Sequence, residues 1–169
     1  MMSLLPLPRT EDCLVCGRSN PIGHRLRLSV DPGTGSIHVP WTPTPGHAGF
    51  ERITHGGATA TVLDEAMAWC AIWALKRMSV CAELTTRFAL PLVPGTPTTV
   101  IARVESARAR LVLVTGEVVG EDGRVYATAS GKYLPAPPAE HATLLSKLLV
   151  EPESAETYRI LTHAGAREP

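Results

Sequence analysis

Asp64 and Glu65 are the only charged residues between Ala58 and Leu75, and this stretch follows directly on His55-Gly56-Gly57. Everything else in the run is Ala, Val, Leu, Ile, Met, Trp, Cys or Thr. A segment apolar on nearly every side reads as a buried helix. Burying an unpaired carboxylate costs several kcal/mol, or raises its pKa instead. Such groups concentrate at functional sites, where a carboxylate serves as general base or nucleophile. The glycines at the helix start add a second chemical element. Helix N-termini carry unpaired N–H groups and favour an anion, and glycine lets a ligand approach that backbone closely.

The elements that must position these groups follow from pattern. Arg25-Leu26-Arg27-Leu28-Ser29-Val30 alternates with period two, as a half-buried strand does. Asp31-Pro32-Gly33-Thr34-Gly35 is a turn by composition, and Ser36 to Trp41 returns as a second strand. A loop rich in Pro and Gly leads into a helix over Gly57 to Lys76, with Lys76 and Arg77 suited to its C-terminal end. Strands are then expected over Glu83 to Leu90, Thr98 to Arg108, Leu111 to Gly120 and Val125 to Leu134. Asp122-Gly123 marks the last hairpin. The order predicts an α+β fold, an antiparallel sheet on one long helix. A helix apolar all round needs more cover than one flat sheet gives, so the sheet must curl and a second subunit must help. Residues 1–24 read as an irregular N-terminal segment, 25–138 as the domain, and 139–169 as a helical or partly ordered tail.

Composition narrows the function classes. A chain of 169 residues with 44% hydrophobic content supports one domain with a proper core. Lys+Arg and Asp+Glu balance at 16 each, so nothing marks a nucleic-acid footprint. The run Ala58 to Leu75 has the length of a membrane span, yet an Asp at its centre costs about 2.5–3.5 kcal/mol on insertion scales. A core helix is the expectation, with no membrane span. Residues 1–8 do not read as a secretory signal. The four cysteines are few, and a reduced, cytoplasmic chain is expected. Cys13-x-x-Cys16 looks like half a zinc site, but no second pair exists and His24, His38 and His47 lack finger spacing. A packed N-terminal turn and no metal are expected.

The motif His55-Gly56-Gly57-Ala58-Thr59-Ala60-Thr61-Val62-Leu63-Asp64-Glu65-Ala66 resembles the hotdog-fold acyl-CoA thioesterases of the phenylacetic-acid-degradation type. In that family His-Gly-Gly opens the central helix and an acid stands nine positions after the His, here Asp64. Ala82-Glu83-Leu84-Thr85-Thr86-Arg87-Phe88, with Pro91 and Gly95, is similar to the family's strand after the helix. Cys13 to Gly23 is similar to the opening of many members. The resemblance covers roughly residues 13–135.

It implies a curved antiparallel sheet around one central helix, and hydrolysis of an acyl-CoA or similar acyl-thioester by a homodimer, or by dimers paired into a tetramer. No cofactor is implied beyond the CoA of the substrate. The Gly56 N–H would hold the carbonyl oxygen, with Gly57 in support, and Asp64 would act on water. Gly57 and Asp64 lie roughly 10 Å apart along one helix, so the family pairs Asp64 of one subunit with Gly56 of the other. His55 is either a structural hydrogen-bonder or a catalytic group. Glu65, about 100° round the helix from Asp64, is expected to bridge a cation or meet an interface. Glu83, Phe88, Arg108 and Arg110 are the remaining substrate-binding candidates, the arginines for CoA phosphates. Cys81 stands where many members carry Ser or Thr, and Gly49 where some carry Asn. Alternatives are a protein that binds acyl-CoA without hydrolysing it, and a hydratase with His55 as base. The hydratase-type Asp-x-Asn-x-x-His signature is absent.

Overall fold

The computed structural model describes residues 3–164. Strands β1 (Leu5–Pro6), β2 (Ser29–Val30) and β3 (Ile37–Trp41) precede helix α1 (Gly56–Leu75). Strands β4 (Ser79–Phe88), β5 (Thr98–Arg108), β6 (Leu111–Gly120) and β7 (Val125–Pro135) follow, then helices α2 (Pro138–Leu145) and α3 (Ala155–Ala164). All seven strands form one antiparallel sheet in the order β1-β2-β3-β5-β6-β7-β4. Its curved face holds α1, so the architecture is the expected α+β wrap around a central helix. Among the described residues no helix is long and apolar enough to cross a membrane.

Alternation supplies the inner layer. Val100 and Ala102 on β5, Val112, Val114 and Val118 on β6, and Ala127, Ala129 and Tyr133 on β7 are buried at every second position. Against them α1 sets Val62, Leu63, Ala66, Met67 and Cys70. Removing this apolar area from water is the main stabilising term. Two glycines set how near the helix comes. A Cβ on Gly116 would lie 2.9 Å from Met67 Sδ, and one on Gly131 would lie 3.0 Å from Met67 Cε. Met67 is therefore wedged between two bare stretches of backbone.

The helix boundaries match the sequence pattern within one residue. His55 caps the start by accepting the Gly57 N–H on Nδ1 at 2.8 Å, and Lys76 ends the helix in the left-handed region at φ 53°. Both tryptophans of α1, Trp69 and Trp73, are core residues.

Two expected strands are corrected. Of Arg25 to Val30 only Ser29–Val30 is strand. Arg25 adopts φ 54°, and the Leu26 N–H and Leu28 carbonyl bond Val15 and Leu7 of the N-terminal arm, which draws the segment away from a longer ladder with β3. Strand β4 begins at Ser79, not Glu83, because a bulge between Cys81 and Glu83 resets the alternation. It stops at Phe88 because the Ala89 and Leu90 amides both turn to the Tyr126 carbonyl.

The two ends of the chain join one another. Thr157 Oγ1 donates to the Pro6 carbonyl at 2.6 Å, the Leu149 N–H to the Arg9 carbonyl at 2.7 Å, and Arg9 pairs with Glu151. Leu7, Cys16, Leu148 and Leu161 are buried in the same core as α1. The outer edge of β4 is left bare, with Val80 and Phe88 exposed.

Gly116→Val is expected to lower stability by about 1–3 kcal/mol, since Met67 has nowhere to retreat. Urea denaturation measures it, and an unchanged midpoint would show the helix free to lift off the sheet.

Candidate active site

The start of α1 leaves one backbone donor free. The Gly57 N–H is held by His55 Nδ1, and the Ala58 and Thr59 amides both reach the His55 carbonyl. The Gly56 N–H has no acceptor among the described residues. The approach to it is fixed by the preceding loop, where the His55 N–H donates to the His47 carbonyl at 2.8 Å and His47 stacks on His24 at 4.2 Å. Gly49 packs closely in that loop: a Cβ there would lie 3.0 Å from the His55 ring.

Gly56 faces a cleft of about 400 Å³, lined also by Thr54, Thr59, Phe88, Leu90 and Tyr126. The Phe88 ring lies where a Gly56 Cβ would come within 3.0 Å of it. The lining is mostly apolar, as small-molecule sites are. The Thr54 hydroxyl in its wall is buried without a partner among the described residues. A second hollow of about 420 Å³ on the outer sheet face, around Thr85, Arg87 and Thr115, contains none of these groups.

Asp64 lies about 12 Å further along the helix, eight residues at 1.5 Å each. Its Oδ1 accepts the Tyr133 hydroxyl at 2.8 Å. Burial first, then the Asp64 charge, pushes the Tyr133 pKa up, so the phenol stays protonated and donates. Cys81 is registered directly beside Tyr133 across β4 and β7. Its thiol is also shifted upward, by burial and then by the Asp64 carboxylate, and is thus a neutral neighbour of that group. Cys81, Tyr133 and Asp64 therefore form one cluster, at the end of β4 opposite to Phe88.

Glu65 goes elsewhere. Its carboxylate meets Cys13 and Cys16 of the N-terminal turn and accepts the Trp69 indole N–H at 3.2 Å. No cation pairs with it among the described residues, which corrects the expected salt bridge. Burial pushes its pKa up to about 7. Glu83 forms an exposed ion pair with Lys132 at 2.8 Å. Arg108 and Arg110 are exposed at the β5–β6 turn. Through the Val112–Tyr133 pairing, that turn lies at the Asp64 end of the sheet.

Residues 52–127 match the thioesterase superfamily. That stretch is similar to thioesterase-superfamily domains, and the chain has the hotdog fold. A search of curated proteins gave no match. Among solved structures, a thioesterase superfamily protein is similar at 24% identity and TM-score 0.68, covering 73% of this chain. This chain spans 63% of that protein's length. The PaaI protein of the E. coli phenylacetic acid degradation operon is similar at 22% identity and TM-score 0.62, covering 67% of this chain and 80% of its own. Streptococcus mutans smu.793, solved with acetyl CoA, is similar at 14% identity and TM-score 0.58, covering 61% and 82%.

Two residues of the hotdog site escape the motif. Tyr133 lies on the inward face of β7, and a buried phenol needs a partner; the alternation of Ala127, Ala129, Gly131 and Tyr133 is its only signal. Thr54 carries none.

Tyr133→Phe removes the donor to Asp64 without changing shape. A stability loss of about 1–2 kcal/mol is expected, read from chemical denaturation; no loss would mean that water replaces the phenol at no cost.

Proposed function

We propose that the protein hydrolyses acyl-CoA or a similar acyl-thioester to the free acid and CoA, and that it does so as a homodimer. One observation carries the reading: Gly56 offers the single unused amide of the first helical turn, at the mouth of a mostly apolar cleft. A thioester carbonyl oxygen seated there would be polarised by the N–H and the helix dipole. Asp64, as general base, would take a proton from water while the water oxygen adds to the carbonyl carbon. Negative charge gathers on the oxygen at Gly56. As the carbonyl re-forms, the C–S bond breaks and the CoA thiolate leaves, taking up a proton. Direct attack by the Asp64 carboxylate, then hydrolysis of the anhydride, uses the same residues.

The 12 Å between Gly56 and Asp64 supports assembly across two subunits. Strand β4 is an unpaired edge with the Asp64–Cys81 cluster at one end and Phe88 over Gly56 at the other. Antiparallel pairing of β4 with its copy, centred near its middle, sets the Cys81 end of one strand beside the Phe88 end of the other. Each composite site then holds Gly56 from one subunit and Asp64 from its partner. Pairing would also cover the exposed edge. In this reading Phe88 borders the acyl chain, His55 acts as the cap that keeps Gly57 engaged, and Arg108 and Arg110 contact CoA phosphates. Structures of the same fold solved with acetyl CoA and with CoA support the ligand class.

The decisive assay measures thiol release across short, medium, long and aromatic acyl-CoAs. Asp64→Asn should lower turnover at least about a hundredfold with the fold intact. Gly56→Pro deletes the proposed donor but also sets a Cβ 3.0 Å from the Phe88 ring. It is read against Gly56→Ala, which adds that Cβ and keeps the N–H; the proline variant should fall about 10²–10³-fold below the alanine one. Mixing the two inactive variants after dissociation should restore about a quarter of wild-type activity, since half the dimers are mixed and each has one intact site. No recovery would place both groups in one subunit. A folded wild type that binds every acyl-CoA and cleaves none would favour a binding protein, a reading kept open by Cys81 in the place of a hydroxyl.

A further inference from the structure

We infer that Cys13, Cys16 and Glu65 form a zinc site that clips the N-terminal arm to the central helix. The proposal stands apart from the catalytic reading, because none of the three groups takes part in it.

The donor atoms already converge. Cys13 Sγ, Cys16 Sγ and a Glu65 carboxylate oxygen all lie within 4.8 Å of one another. Cys13 Sγ is 3.7 Å from both Glu65 oxygens. Ligands at the usual Zn–S and Zn–O lengths on a tetrahedron stand about 3.6 Å apart, so the spacing suits a common ion. The turn is built to aim sulfur. The Val15 N–H points at Cys13 Sγ at 3.3 Å, and the Gly17 N–H closes the turn on the Cys13 carbonyl at 3.0 Å. Gly17 is needed for that closure, because a Cβ there would lie 2.2 Å from the Cys13 oxygen. Trp69 holds the carboxylate from behind, as outer hydrogen bonds orient metal ligands.

Charge points the same way. Glu65 lies on the most apolar element of the chain and pairs with no Lys, Arg or His among the described residues. A divalent ion would offset it together with the thiolates. Two soft sulfurs and one carboxylate suit zinc better than magnesium or calcium. Cys16 is buried while Cys13 and Glu65 are partly exposed, which leaves an entry path and room for a water as fourth ligand.

The test uses the full chain without a histidine tag, reduced and then metal-free. Titration with cobalt(II) should give thiolate-to-cobalt charge-transfer absorption saturating at one ion per chain, displaced by zinc. Cys13→Ser with Cys16→Ser should abolish the band, and Glu65→Gln should weaken binding about tenfold or more. Should the serine variant fail to fold, thiol labelling of the wild type decides: zinc must protect Cys13, the partly exposed thiol of the pair. Absence of the band, equal affinity in Glu65→Gln, or labelling indifferent to zinc would each overturn the site. So would isolation of the pair as a disulfide that, once reduced, takes up no metal.

Discussion

Helix α1 has no polar side to give to water, and the rest of the structure answers that constraint. A helix with one apolar stripe is satisfied by a flat sheet; one apolar all round needs cover along its whole circumference. The sheet covers part of it by curving, and glycines at 116 and 131 let the backbone close on Met67. The N-terminal arm and the C-terminal segment complete the core through Leu7, Cys16, Leu148 and Leu161.

That constraint makes the two acids of α1 informative. Each carboxylate on so apolar a helix needs its own partners, and side chains about 100° apart cannot share them. Asp64 receives the Tyr133 phenol, Glu65 the Trp69 indole and the two thiols. Neither is matched by a basic residue. Satisfied by neutral donors, the two acids carry no internal counter-charge among the described residues, so their oxygens remain open to a substrate or an ion.

Sequence pattern conveys this fold wherever neighbours in the chain are neighbours in space. The β5–β6 and β6–β7 hairpins, the ends of α1, and the His-Gly-Gly start with Asp64 two turns on are all local, and all are readable. Legibility fails where partners are distant. Residues 26–28 alternate like a strand, but their backbone groups are taken by Val15 and Leu7. The bulge after Cys81 is invisible because it depends on the register of β7. Glu65 reads as an unpaired acid until the turn 52 residues earlier is laid against it. Tyr133 is 69 residues from Asp64, and only an inward-facing phenol without an evident partner hints at their contact.

The pairing of the chain's ends has a consequence for how the protein forms. Thr157 bonds Pro6 across 151 residues, and Arg9 bonds Glu151 across 142. Contacts of such separation come late, because a long loop must close before they return any energy. Synthesis runs from the N-terminus, so α1 and the five-strand body β3 to β7 are complete while the arm still lacks its partner. During that interval Leu7 and the outer edge of Leu5–Pro6, which pairs only with Ser29–Val30, still lack their C-terminal cover. The last helix is thus a latch, and the time before it arrives is when the nascent chain is most exposed to mispairing.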